Sequence, residues 1–147
     1  MKISDSNNYI IFKPVNYEFP TLISNDKNVD YYDLNWLKIE FKYNKDGNEV
    51  TEYDNCILTF EIKNLLSESR KLINKVKGKI ESPFLEPYFE ISVVKKNNVY
   101  NLYIKYVYDT TDTSGWKYIE ITKDLDFCEF ENLLNEIEKE FSNFPIR

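Results

Sequence analysis

The sequence predicts a single α+β domain spanning residues 1–147: an antiparallel, strongly curvable sheet of about six strands, with two amphipathic helices at about residues 60–77 and 127–141. Three observations predict it. Apolar residues alternate in short runs, as at Leu37, Ile39, Phe41 and Tyr43. Two longer segments change to a helical period. The connections between neighbouring strands are short, which favours antiparallel pairing. A chain of 147 residues is long enough to bury a real core, removing about two thirds of its unfolded surface.

Taken in order, "NYIIFKPV" (residues 8–15) reads as a first strand ending near Pro14, which has no amide proton for a ladder. Residues 16–33 are polar and irregular and read as loop. A second strand covers about 36–43. Asp46-Gly47 then suits a tight turn with positive φ, and a return strand follows at about 49–57. In the next segment Ile62, Leu65, Leu66, Ser69, Ile73 and Val76 share one helical face, with Leu72 beside them. Thr59 is the expected N-cap. Lys71, Lys75 and Lys77 crowd the final turns, where the helix dipole favours cations, and Gly78 is the expected left-handed stop.

Strands resume with Phe89, Ile91 and Val93, turn at Asn97-Asn98, and continue through Tyr100, Leu102, Ile104, Tyr106 and Tyr108. "WKYIEI" gives one more strand. The last helix is the best specified element: Asp126 and Glu129 form a capping box, and Leu125 and Phe130 a hydrophobic staple. Its apolar stripe runs through Phe127, Phe130, Leu134, Ile137 and Phe141, joined by Leu133.

Composition narrows the function. Histidine is absent, so serine–histidine and cysteine–histidine nucleophile systems are excluded, as are the usual zinc signatures. The two cysteines, Cys56 and Cys128, sit in apolar surroundings without a local cation and are expected to be buried thiols. With 3 glycines, nothing resembles a phosphate-binding loop. The acidic turns at 44–49 and 109–115 lack the spacing of a calcium loop. No catalytic, cofactor or metal site is therefore expected. The alternative is a small carboxylate-based enzyme or ligand-binding domain using Glu86 and Glu90.

A net charge of -6 argues against nucleic acid and is compatible with a basic protein partner. The acid is concentrated: residues 124–141 hold seven acidic side chains and one lysine. Glu131 and Glu138 lie off the apolar stripe of that helix, either as part of a solvated face or as a surface for a cationic target. With 12 Tyr, 10 Phe and 2 Trp, aromatic anchors for an interface are plentiful, and Tyr31 and Tyr32 in the loop are the candidates. The N-terminus does not read as a signal peptide and no apolar run has membrane length, so a cytoplasmic chain without membrane contact is expected.

Four motifs, "DLNWLKIEF" (33–41), "CILTFEIKNL" (56–65), "FLEPYFEI" (84–91) and the closing "FPIR" (144–147), together resemble the WapI-type immunity proteins that accompany bacterial polymorphic, contact-dependent toxins. The resemblance covers about residue 8 to the end. It implies a single immunity-type domain in the cytoplasm, not an enzyme, that occludes the toxin domain of a secreted protein in the producing cell. The implied partner is a cognate toxin, expected to be basic and with nucleases among the candidates. The chain itself would be a monomer or weak homodimer. Trp36, Leu37, Glu86 and Pro87 would then be scaffold residues. The sequence departs from the family in its richness in Lys, Asn and Tyr and its lack of His.

Overall fold

The computed structural model describes residues 1–22, 29–74 and 78–147. One antiparallel sheet is formed by β1 (Lys2–Ser4), β2 (Tyr9–Tyr17), β3 (Trp36–Lys45) and β4 (Asn48–Leu58), paired in chain order. A second is formed by β5 (Lys79–Ile80), β6 (Phe89–Lys96), β7 (Val99–Asp109) and β8 (Lys117–Leu125), again in chain order. The short helix α1 (Tyr31–Asn35) precedes β3, α2 (Thr59–Ile73) links the sheets, and α3 (Phe127–Phe141) follows β8. The expected α+β class holds, with the strands shared between two four-stranded sheets that do not close into a barrel. The division has a simple cause. Tight turns keep successive strands side by side, whereas the 15 residues of α2 carry the chain about 22 Å before it pairs again.

Local chemistry explains most boundaries. Asp46 (φ 53°) and Gly47 (φ 82°) make the two-residue turn between β3 and β4, and Asn97 (φ 55°) opens the turn between β6 and β7. β2 does not stop at Pro14. It continues to Tyr17 because a register shift between Pro14 and Asn16 absorbs the missing donor in a bulge. The strand β1, not foreseen, is returned to β2 by Asp5, whose carboxylate accepts the Asn7 and Asn8 amides, each at 2.8 Å. The expected loop at 16–33 contains α1, capped by Asp30, which accepts the Tyr32 amide at 2.8 Å; residues 23–28 lie outside the described residues.

Aromatic rings join the two sheets. Phe12 and Phe41 meet Phe89 at centroid distances of 4.9 and 5.3 Å, and Phe41 stacks on Tyr106 at 4.0 Å. Fully burying each such ring contributes on the order of 1.5–3 kcal/mol. The helices add Ile62, Leu65 and Leu72 from α2, and Phe130, Leu134, Ile137 and Phe141 from α3. In α3 the capping box forms as expected: Glu129 donates its amide to Asp126 at 2.8 Å and accepts the Asp126 amide at 2.9 Å. Leu125 and Phe130 are both buried, as a staple requires.

Three expectations need correction, and one falls beyond the described residues. Thr59 is not the N-cap of α2; Leu58 holds that position, and Glu61 supplies the bond by accepting the Leu58 amide at 2.8 Å. Phe127 faces solvent, because at the first helical position the stripe has not yet turned toward the sheets. Cys128 is exposed for the same reason, while Cys56 is buried. The expected helix end at 77, with Lys75, Val76 and Lys77, lies outside the described residues; α2 ends at Ile73, with Asn74 as C-cap. No described helix is long and apolar enough to cross a membrane.

Candidate interaction surfaces

The four sequence motifs meet in one polar clamp. Asn35, fully buried between α1 and β3, accepts the Thr59 hydroxyl at 2.6 Å and the Arg147 amide at 3.0 Å. Its own amide group donates to the Tyr31 carbonyl at 2.8 Å and to the Arg147 carbonyl at 3.4 Å. Arg147 also donates to the Phe19 carbonyl at 3.2 Å and lies 4.5 Å over the Tyr17 ring, while the Tyr17 hydroxyl donates to the Pro145 carbonyl. Glu61 ties the remaining motif in, accepting the Leu85 amide at 2.6 Å beside the Leu58 bond. Burial pushes the Glu61 carboxyl up, against the pull of those two amides. Every motif thus reaches another through a hydrogen bond, and the clamp is structural. Burial likewise pushes the Cys56 thiol up, away from the thiolate form that a nucleophile uses.

The residues nominated as partner contacts separate into two places. Tyr31 and Tyr32, 50% and 47% exposed, lie on α1 against Phe60 of α2. Tyr31 stacks on Phe60 at 5.4 Å and Tyr32 meets it edge-on at 5.8 Å, so three rings form one outward aromatic patch. α1 positions it because the clamp holds Asn35, four residues beyond Tyr31. Glu131 and Glu138 are exposed on α3. Glu138 is already paired with Arg70 at 2.6 Å and Glu140 lies 3.6 Å from the Met1 amino nitrogen, so part of the acidity of this helix is compensated within the chain. Glu90 points outward from β6 and pairs with Lys105 at 3.4 Å, which leaves it apart from Glu61 and the amides it serves.

The sequence reading missed a third place. A cleft of about 440 Å³ opens where β4 faces the end of β7, lined by Glu52, Tyr53, Asp54, Tyr88, Tyr106 and Tyr108. In the β3–β4 ladder Tyr43 opposes Val50, Phe41 opposes Glu52 and Ile39 opposes Asp54. Directly opposed residues share a sheet face, and Ile39, Phe41 and Tyr43 are buried in the core. Two carboxylates therefore occupy core-facing positions of an edge strand. Burial pushes the Asp54 carboxyl up, and among the described residues its one hydrogen bond comes from the adjacent Asn55 amide at 2.8 Å. Glu52 accepts the Tyr106 hydroxyl at 3.3 Å. Among the described residues neither carboxylate forms an ion pair. The signal was legible: Val50, Glu52, Asp54 and Cys56 alternate along β4, so the apolar parity of the strand is broken twice by acid.

Among the described residues no group of three or more acidic, Cys or His side chains is placed to hold a metal. These surfaces present exposed aromatic rings, a recess and carboxylates. A family model described as the immunity protein WapI-like family matches residues 1–145. No curated protein and no solved structure matches the chain.

Proposed function

Because the chain belongs to the WapI-like immunity protein family, we propose that it binds and sterically neutralises the toxin domain of a secreted polymorphic toxin inside the producing cell. The family match over almost the whole chain carries this reading. In it, the protein works in the cytoplasm as a monomer or weak homodimer, by occlusion and without turnover. The toxin domain is basic, with a nuclease as the leading candidate, and the acidic balance of the chain speeds encounter.

The patch of Tyr31, Tyr32 and Phe60 supports an anchoring role, since exposed aromatics held rigid by a neighbouring helix lose little entropy on binding. Glu131 and Glu138 on α3 form the acidic rim. The carboxylate-enzyme reading through Glu86 and Glu90 has less behind it, with Glu90 paired to Lys105.

The test is co-expression with the C-terminal domain of the large secreted protein encoded beside this chain. Protection from its toxicity and co-elution as one complex are expected. The absence of both protection and association would refute the reading.

A further inference from the structure

The geometry points to the cleft beside β4 as a socket for a lysine or arginine side chain of the toxin domain, held between Glu52 and Asp54 and walled by tyrosine rings. This rests on the immunity reading above. The first observation behind it is the register: two carboxylates lie on the buried face of β4, opposite Phe41 and Ile39, where apolar residues would stabilise the sheet. The second is independent. The Tyr43 hydroxyl, on a side chain 1% exposed, has no hydrogen bond of normal geometry, although it sits close beside Glu52. The Tyr43 ring packs on two lining residues, stacking on Tyr108 at 5.4 Å and meeting Tyr106 edge-on at 5.8 Å. Two acids without an ion pair among the described residues line the recess, with the Tyr43 hydroxyl sealed behind Glu52, and an ammonium or guanidinium group donates three to five hydrogen bonds without accepting any. The tyrosine faces suit a positive charge: Lys45 already lies 4.6 Å over Tyr108 and Lys38 5.1 Å over Tyr53, at the margins of the cleft, which leaves Tyr88 and Tyr106 to face an incoming cation. The strand end from Asp54 to Leu58 and the start of α2 put at most roughly 16 Å of chain between the cleft and Phe60, within the reach of one partner.

An inward acid on an edge strand has another use, which is to block strand addition by a second chain. The two roles give different results.

The experiment compares wild type, the double variant E52Q/D54N, and a control E81Q/E120Q with the same loss of charge on exposed positions away from the cleft. Affinity for the adjacent toxin domain is measured at low and high salt. The socket predicts at least tenfold weaker binding for E52Q/D54N, mostly through faster dissociation, a flatter salt dependence, and less than threefold change for the control. Equal affinity of the two double variants overturns the proposal, as does unchanged affinity of E52Q/D54N with new self-association, which marks edge protection instead. Should wild type fail to bind the toxin domain, the immunity reading falls, and the cleft is judged by NMR titration with the peptide acetyl-Gly-Lys-Gly-amide. Saturable shifts confined to residues 52–54, 88 and 106–110, and lost in E52Q/D54N, support the socket. Shifts spread over all acidic surfaces, or none, overturn it. Circular dichroism and thermal melts of each variant establish that it is folded.

Discussion

Around Asn35 the polar groups inside this protein are matched bond for bond; around Asp54 they are not. Asn35 uses both ends of its amide on four partners drawn from α1, α2 and the closing segment. Asp54 is half-buried, close to Cys56 and Tyr106, with one bond from its neighbour along the chain. The first cluster resembles what folding demands, because a buried polar group without a partner costs free energy. The second runs against that demand. Residues that weaken a fold and line a recess are where recognition is sought.

Removing the clamp residue tests one side of this contrast most severely. Asn35→Ala strips partners from the Thr59 hydroxyl and from both backbone groups of Arg147, and is expected to lower stability by roughly 2–4 kcal/mol in urea unfolding. A loss under 0.5 kcal/mol would mean that the motifs are not held together there.

Exposed rings come next. Tyr31→Ala with Tyr32→Ala is expected to change stability by no more than about 0.5 kcal/mol but to cost about 2 kcal/mol of toxin binding, measured by calorimetry. Equal small effects on both would remove the aromatic patch from the interface.

Asp54→Asn sharpens the comparison because its two effects have opposite signs. The folded carboxyl is raised above its unfolded value by burial, so its charged form costs stability, and that cost is present at neutral pH. Asparagine keeps the acceptor for the Asn55 amide and removes the charge, so a gain of about 0.5–1 kcal/mol is expected at pH 7. As pH falls through the raised folded pKa, wild type becomes protonated and the gap between the two proteins closes. A variant less stable than wild type at pH 7 would show that Asp54 serves the fold after all.

The smallest effect belongs to α3. Arg70 and Glu138 are both about half exposed, so Arg70→Ala is expected to cost between 0 and about 1 kcal/mol, falling with added salt. A larger, salt-insensitive loss would make that pair part of the scaffold.

What could be read in the sequence follows the range of the forces involved. The α3 capping box and the turns at Asp46-Gly47 and Asn97 were legible because each is decided within four residues. Strand parity in β3 was equally plain. The clamp was not, since Asn35 and Arg147 are 112 positions apart and no pattern in either segment announces the other. β1 and β5 were invisible for a related reason: three- and two-residue strands carry too little alternation and exist because a neighbour's edge accepts them. The exposure of Tyr31 and Tyr32 was anticipated, but their alignment on Phe60 required α1, which only one helical turn and an Asp30 cap define. The cleft lay between these cases. Its acids were on display in β4, yet their inward direction depends on the register with β3.

The bulge that shifts register between Leu37 and Ile39 has one more consequence. It lets Cys56, Ile57 and Leu58 seal the base of α2 while the outer half of β4 keeps its own alternation. Positions 52 and 54 thereby lie outside the segment that closes onto α2, like teeth cut beyond the shank of a key. If the socket is real, a descendant chain that rewrites those two letters would change what it fits while still closing into the same shape, so that a new adversary would be met by substitution in one short stretch.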